Sequence, residues 1–585
     1  MPKRVVADGK LEEVIRKYTL LNAYIHRGKA QPQTVLGRIL AEMPEQRGEA
    51  REILEMVRAD VKSVGALSLE EQRRLIEAKW PELLRVKEHK AEKRELPPLP
   101  DVDKYEKVVT RFSPNPDCVL HMGSARAIVL SWSYAAMYEG EFYLRFEDTD
   151  PKVKRPVLEF YDTIREDLKW LGCRWDKEFI QSDRVEIYYS YAERLLSEGH
   201  AYICTCESGR FRELTLVGKP CPCRELGGEE NVERWRKMLE GGYDEGEAVV
   251  RVKTDLKHPN PAVRDWPALR IVDPAKTPHP RVGSRYRVWP LYNFSCGLDD
   301  HLMGVTHIIR GKEHLTNEQR QRYLYGYLGW EYPSAIHYGR LKITGADLSK
   351  SKLKAGVEEG LYRGYSDPRL ATFQALRRRG ITPDAIKGMM YTVGPKTADV
   401  TLSWETLYSF NRKVVEPKAN RYFFVGNPLP LTVKGVEGGC RAKLPLHPDH
   451  ADRGYRLIEV HVEGGEAKLL LAGSDRELLK PRALLRLKDL FNIEVEEVGE
   501  GGVSALFKGM AHEAAMRLQA PVIHFLPAEG SLPARVFMPD GSVVEGIAEE
   551  TCKGLEAPVV VQFERFGFVR VESVEAELVA YYTHR

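Results

Sequence analysis

Residues 111–138 read RFSPNPDCVLHMGSARAIVLSWSYAAMY, and the fold follows from how this stretch divides. Ahead of it Val108 and Val109 are apolar and β-branched, as at the end of a buried strand. Pro114, Asn115 and Pro116 then force a turn. His121, Met122, Gly123 and Ser124 follow, and after them a Pro-free run of helical character. A strand, a tight loop and a helix N-terminus in that order form a phosphate site. The first-turn N–H groups lack intrahelical partners, and the helix dipole favours an anion there. Gly123, with no side chain, lets a nucleotide base lie close against the backbone, and His121 is placed to donate to phosphate oxygens. The His-x-Gly core alone also describes an ordinary strand–turn–helix in which His121 caps the helix.

Composition narrows the classes around this stretch. A chain of 585 residues is too long for one core and suggests three to five domains. No apolar run reaches the length of a membrane span, and Met1–Lys10 does not read as a signal peptide. Nine cysteines, an odd and mostly isolated set, fit a reduced, cytoplasmic setting better than a disulfide framework. A net charge of +3 does not announce nucleic-acid binding, so a local basic surface would have to carry it.

Residues 1–96 are charged and helix-forming, with Ser68 and Glu71 spaced as a capping box, and end in the linker-like ELPPLP. After the signature helix, EFYLRFEDTDP (141–151) is a buried strand with Glu147, Asp148 and Asp150 at its C-terminal end, where ligands bind in open α/β sheets. One carboxylate there can hold an ammonium group; the other two can hold water or a metal. Cys204, Cys206, Cys221 and Cys223 follow in a C-x-C-x(14)-C-x-C spacing. Two close thiol pairs across a short polar loop suit a closed tetrahedral zinc site; the alternative is two pairs of buried thiols. GADLSKSKLKAG (345–356) is a Gly- and Lys-rich loop that could close over a triphosphate or be merely solvated. Arg377, Arg378 and Arg379 form a basic turn suited to an RNA backbone or to solvent. From about residue 425 short β-type runs alternate with Gly and Pro, and Pro539-Asp540-Gly541 marks a hairpin, as in barrels or sandwiches.

The opening stretch resembles the HIGH signature of class I aminoacyl-tRNA synthetases, in the glutamyl/glutaminyl branch, whose version reads RF-x-P-x-P-x(4)-LHxG. RxEDTDP and YNF-x(4)-DDHLMGVTHxxRGKEHL (292–315) match the glutamyl pattern, and LSKSK after them resembles the KMSKS loop. Ser124 departs from the second His of the signature, a position glutamyl enzymes relax. Asp347 and Leu348 replace the first Lys and the Met of the loop, so Lys352 or Lys342 would compensate. The β-rich C-terminal part resembles the archaeal type.

The resemblance covers roughly residues 100–585. It implies ATP-dependent attachment of glutamate to tRNA through a glutamyl adenylate, on glutamate tRNA and also glutamine tRNA. Glutamine–tRNA ligation, or a non-catalytic tRNA-binding protein of this fold, are the alternatives. The implied catalytic residues are His121, Ser124 and Lys350; those for ATP are His121, Gly123, Ser124, Ser349 and Lys350; those for glutamate are Arg111, Ser113, Glu147, Tyr292 and Arg310. Arg310 makes physical sense, because a guanidinium fork pairs bidentately with a side-chain carboxylate. ATP, Mg2+ and a structural Zn2+ are the expected cofactors. tRNA, glutamate and ATP are the expected partners, with neither DNA nor membrane. The implied architecture is multidomain α/β plus β. It has an N-terminal helical region at 1–96 and a Rossmann-like catalytic domain at 101–200 and 283–345. An acceptor-end-binding domain with the Cys cluster is inserted at 201–282. The KMSKS-like loop and a helical connecting region occupy 346–424, and β-barrel anticodon-binding domains occupy 425–585.

Overall fold

The apolar residues ahead of the Pro-rich turn form a buried strand, β1 (Val109–Phe112), in the computed structural model, which describes residues 9–25, 28, 30–83, 96–345, 348–499 and 501–585. β1 pairs in parallel with β2 (Glu141–Phe146), and β2 with β3 (Lys177–Ile180). On its other side the Val109 N–H donates to Thr306 Oγ1 (2.8 Å) and the Val109 carbonyl accepts from the Thr306 N–H (3.0 Å). Thr306 thereby seats β4 (His307–Gly311) beside β1, and β4 pairs in parallel with β5 (Ser334–Tyr338). The spatial order is 3-2-1-4-5, so strand order reverses between β1 and β4. A ligand crevice belongs at that reversal, outside the carboxyl ends of the two strands.

Parallel strands need long crossovers. The helix Met122–Met137 supplies the one from β1 to β2, burying Ile128, Val129 and Leu130. Arg126 on this helix is fully buried and donates to the carbonyls of Gly339 (2.5 Å), Gly394 (2.8 Å) and Lys396 (2.8 Å). Peptide dipoles, not a carboxylate, thus satisfy the guanidinium. The helix Leu158–Leu171 packs nearby and buries Asp167. One carboxyl oxygen of Asp167 has no partner, while the side chain accepts from the Leu120 N–H; burial pushes its pKa up to about 8.

The crossover from β3 to β4 carries a four-stranded antiparallel sheet of Ala201–Cys204, Val249–Val252, Pro267–Ile271 and Val288–Pro290. Trp235, Trp266 and Met238 fill its core. This sheet is tied back to the β2 loop: Arg270 pairs with Asp150 (2.6 Å), and His279, stacked on Trp289, shares a hydrogen bond with the Asp148 carbonyl (2.8 Å).

After β5 the helices Lys350–Glu358, Phe373–Arg378, Pro383–Val393 and Trp404–Val415 lead into two sheets of seven and eight strands. Each closes on itself by the same device. In the seven-stranded sheet the edge strands Arg421–Tyr422 and Phe424–Gly426 are successive segments joined by Phe423 alone. In the other, Val522–Ile523 and Phe525–Pro527 pair with opposite sides of the sheet and are joined by His524. Barrel closure removes exposed edges. The two junctions meet, with the His524 ring bonded to the Phe424 carbonyl (2.7 Å). Pro539-Asp540-Gly541 turns the antiparallel pair Leu532–Phe537 and Val543–Ala548.

Of the basic turn, Arg379 is buried. It donates to the Thr583 carbonyl (3.1 Å) and the Tyr408 hydroxyl (2.6 Å), docking the last strand onto the connecting helices. It therefore cannot meet an RNA backbone, whereas Arg377 is exposed.

Met1–Glu95 forms a separate unit from Leu96–Arg585. Its helices Gly9–Ile25, Pro32–Glu42 and Ala50–Gly65 bury Leu11, Ile15, Val35, Ile39, Ile53 and Val57, and the helix Leu69–Lys79 buries Ile76 beside Leu20 and Val64. The capping box forms: the Glu71 carboxylate accepts from the Ser68 N–H (2.8 Å), and Ser68 Oγ from the Glu71 N–H (3.3 Å).

The raised pKa of Asp167 carries a pH signature. A carboxyl held near 8 in the folded state and near its ordinary value when unfolded gives stability that is complete below about pH 4 and is lost as pH rises through 8. Asn keeps the acceptor for Leu120 and cannot ionise. The thermal midpoint of Asp167→Asn should therefore gain on the wild type between pH 5 and pH 9; a difference independent of pH would contradict this account.

Candidate active site

At the carboxyl end of β1, Arg111 reaches across to Asp300 on the helix Tyr292–Leu302, with Nε and Nη2 at 3.0 and 3.3 Å from the two carboxylate oxygens. Arg145, near the carboxyl end of β2, donates to the same carboxylate from Nη1 (2.8 Å) and to Glu147 from Nη2 (3.0 Å). All three members of the Asp300 cluster are buried. The two guanidinium groups outweigh burial and hold the Asp300 carboxyl well below the usual carboxylate range. Burial raises the pKa of Glu147, with Arg145 and Arg111 opposing it. Cys296 is buried against Arg145 (Sγ to Nη2, 3.1 Å), and burial pushes its thiol up to about 12.

Arg310, on β4, faces the same crevice and is buried. It is held by Gln321, Tyr332 and His337, and no carboxylate pairs with it among the described residues. Three guanidinium groups thus meet two carboxylates, leaving one positive charge in a desolvated site. Ser113 lies just past β1, and its hydroxyl is buried without a partner. Tyr292 packs against His314 with ring centroids 5.3 Å apart. Burial, aided by Arg310 and Arg111, lowers the His314 pKa to about 4, so the imidazole is neutral near pH 7. Arg111, Ser113, Glu147, Tyr292 and Arg310 are therefore gathered at one end of the sheet.

Asp148 and Asp150 are differently employed from the sequence expectation. Asp148 accepts from Tyr161 Oη (2.6 Å), Ser182 N (2.8 Å) and Ser182 Oγ (2.7 Å). Asp150 accepts from Val153 N (2.9 Å) and Arg270 (2.6 Å). Both brace the loop; Asp148 is fully buried with both oxygens engaged, whereas Asp150 is bonded through one oxygen and remains partly exposed.

On the signature-turn side, His121 caps the helix Met122–Met137: its Nδ1 accepts from the Gly123 N–H at 3.0 Å. The ring proton therefore sits on Nε2, where it can be donated. Burial, then Lys350, lowers the His121 pKa to about 4, so it is a neutral donor. The first-turn amides are not open as expected. Met122 N donates to the Ala371 carbonyl (2.9 Å), Gly123 N to the His121 ring and Ser124 N to the His121 carbonyl (2.8 Å). The cause is long-range for Met122, where His121 forms an antiparallel bridge with Thr372, and local for Gly123 and Ser124, which His121 itself caps. Phosphate contacts must come from side chains there. Lys350, at the start of the helix Lys350–Glu358, lies against the signature turn, its ammonium 2.7 Å from Asp117 Oδ1 and 3.2 Å from the Asn115 carbonyl. Ser124 is half-buried in the first turn, Ser349 Oγ lies 3.0 Å from Ser351 Oγ, and Lys342 lies on the strand Leu341–Ile343. Asp347 lies outside the described residues.

Cys204, Cys206, Cys221 and Cys223 form a second cluster, with all four sulfurs within 4.8 Å of one another. The pairs Cys204–Cys221 and Cys206–Cys223 stand 3.9 and 3.7 Å apart. Sulfurs about 2.3 Å from a tetrahedral zinc lie about 3.8 Å apart, so the donor set fits that ion.

A family model described as tRNA synthetases class I (E and Q), catalytic domain, matches residues 107–417. The chain belongs to that family. Two models of its anti-codon binding domain match residues 419–508 and 522–572, on the two barrels. Glutamate–tRNA ligases of Thermococcus kodakarensis and Pyrococcus abyssi are 52% and 53% identical over 581 residues each, 98% of this chain and all of those proteins. That of Methanothermobacter marburgensis is 47% identical over 576 residues, with the same coverage.

Sequence reading passed over Arg145 and Asp300, although a charge inside an apolar strand and the Asp299-Asp300 pair were available signals. Gln321, Tyr332 and His337 carried no local signal. Gly123 has a further role: a Cβ there would stand 2.6 Å from His121 Cε1 and 2.8 Å from Nδ1. Gly123→Ala should displace the ring and uncap the helix, costing about 1 kcal/mol of stability but at least about tenfold in the adenylation rate. Pyrophosphate exchange beside thermal unfolding measures both, and unchanged exchange would remove the His121 geometry from the reaction.

Proposed function

We propose that this chain catalyses ATP-dependent attachment of glutamate to tRNA through a glutamyl adenylate formed at the β1/β4 crevice. The observation that carries the reading is Arg310, a buried guanidinium without a carboxylate partner among the described residues. It calls for an anion, and a side-chain carboxylate meets its fork bidentately. An amide would leave the charge unpaired. Arg111, with Nη1 outside its bonds to Asp300, adds a second cation. Ser113 and Tyr292 offer hydroxyls, and Glu147 accepts the α-ammonium. Glutamate, with two carboxylates and one ammonium, is a monoanion, and its net charge is opposite to that of the site.

ATP lies over Gly123 with its phosphates toward His121 Nε2–H, Ser124, Ser349 and Lys350. The glutamate α-carboxylate oxygen attacks the α-phosphorus, and the bond to the bridging oxygen breaks, releasing pyrophosphate as its Mg2+ complex. Lys350 must leave Asp117 to neutralise that charge. A terminal ribose hydroxyl of tRNA then attacks the glutamyl carbonyl and AMP departs. The chain supplies position and charge, with no covalent nucleophile.

We assign 1–96 to a helical region and 101–200 with 283–345 to catalysis. Residues 201–282 are assigned to gripping the acceptor end, 346–424 to the lysine loop and connecting helices, and 425–585 to reading the anticodon. Cys204, Cys206, Cys221 and Cys223 would hold a structural zinc, closed by four thiolates. No helix among the described residues is long and apolar enough to cross a membrane, and we place the reaction in the cytoplasm.

Aminoacylation of purified glutamate and glutamine tRNAs, with labelled glutamate or glutamine, is the deciding experiment. Glutamate should be esterified to glutamate tRNA and, on our reading, to glutamine tRNA within about a hundredfold; efficient esterification of glutamine would sink the assignment of Arg310. Lys350→Ala should slow activation by about ten- to a thousandfold with little change in KM for glutamate. Normal turnover would exclude Lys350. Protein purified without chelator should contain about one equivalent of zinc; metal-free protein of full activity would return the cluster to buried thiols.

A further inference from the structure

Arg310 Nη1 donates to Gln321 Oε1 (3.1 Å), Nη2 to the Tyr332 hydroxyl (2.9 Å) and Nε to His337 Nε2 (3.2 Å). Every acceptor is neutral. Tyr332 spends its own proton on Gln321 Oε1 (2.7 Å), so its lone pairs are what Arg310 meets. His337 is depressed by burial and by Arg310, and its Nδ1 lies 3.5 Å from Glu318, which places the ring proton there and leaves Nε2 to accept. Asp300 is already shared by Arg111 and Arg145.

Gln321 is the telling member. It is fully buried, and its Nε2 has no hydrogen-bond partner. A glutamate of the same shape would remove that orphaned donor and pair Arg310 directly. An amide therefore stands where local stability favours an acid, since an unpaired buried cation and an unsatisfied donor are both costly.

We propose that Gln321, with Tyr332 and His337, is a specificity-determining positioning residue: it orients Arg310 through neutral acceptors only, reserving the guanidinium charge for the side-chain carboxylate of the substrate. This rests on the assignment of Arg310 to that carboxylate. A carboxylate placed in the cradle would neutralise Arg310 internally, abolish the reward for an acidic substrate and leave an amide comparatively undisturbed.

The test is aminoacylation by the full chain, with kcat and KM determined for glutamate and for glutamine. Gln321→Glu should lower kcat/KM for glutamate about a hundredfold or more, mainly through KM, while the value for glutamine changes less than about fivefold. Its thermal midpoint should be no lower than that of the wild type. Gln321→Met, neutral and similar in size but without the acceptor, should loosen Arg310 and lower kcat/KM for glutamate by less than about tenfold. His337→Glu, which approaches Nε instead, is the second acidic variant and decides the matter if the first does not fold. An unchanged preference in the acidic variants, or an equal loss in Gln321→Met, overturns the proposal. Arg310→Ala separates the two levels: if it leaves KM for glutamate unaltered, the substrate assignment fails and not the cradle.

Discussion

One buried carboxylate organises this molecule. Asp300 accepts from Arg111 on β1 and from Arg145 on β2, residues 189 and 155 positions away in the chain. The Tyr292–Leu302 helix bearing it returns from the inserted sheet, so this cluster fastens the second half of the parallel sheet to the first. Neighbouring Asp299 faces the other way, accepting from Tyr188 (2.6 Å) and Arg184 (2.9 Å) on the far side of the same helix. Apolar residues of equal volume could hold such a junction as firmly. What they could not do is fix charged groups in a dry crevice before a substrate arrives, which is where electrostatic preorganisation acts.

The two sides of the crevice are prepared differently. Around Arg310 and Arg111 the groups are buried and rigidly bonded, and one positive charge is left over. Around His121 the groups are held in provisional contacts: Lys350 rests half-exposed on Asp117, and the His121 ring serves the helix through Nδ1 while keeping Nε2–H available. A rigid charged cluster beside half-exposed, loosely held groups would suit a reaction in which one reactant is positioned and the charge on a leaving group must be met as it develops.

The distant parts are fastened by polar contacts as much as by apolar cores. Asp150–Arg270 and His279–Asp148 couple the inserted sheet to the loop that carries Glu147. Arg379 and the pairing of Asn411 with His584 (3.1 Å) dock the end of the chain on the connecting helices. The inserted sheet and the anticodon-binding barrels are therefore mechanically continuous with the elements around the crevice.

The sequence by itself determined whatever depends on neighbours along the chain. The strand–turn–helix at 108–138, the Ser68–Glu71 capping box and the Pro539-Asp540-Gly541 turn were legible because sterics and hydrogen bonding set them within a few residues, whereas the cysteine pairs were legible only as a spacing and meet across 17 positions. The gathering of Arg111, Ser113, Glu147, Tyr292 and Arg310 could be named only through the family resemblance, since nothing local joins β1, β2 and β4. Tertiary structure alone decided which polar groups were already spent. The Met122 amide is consumed because residues 371–373 pair with the signature, and Asp148, Asp150 and Arg379 become braces because Tyr161, Arg270 and Thr583 arrive from 13 to 204 positions away. A side chain's chemistry is written in the sequence, but whether it is free to act is set by which distant donor or acceptor folding brings to it.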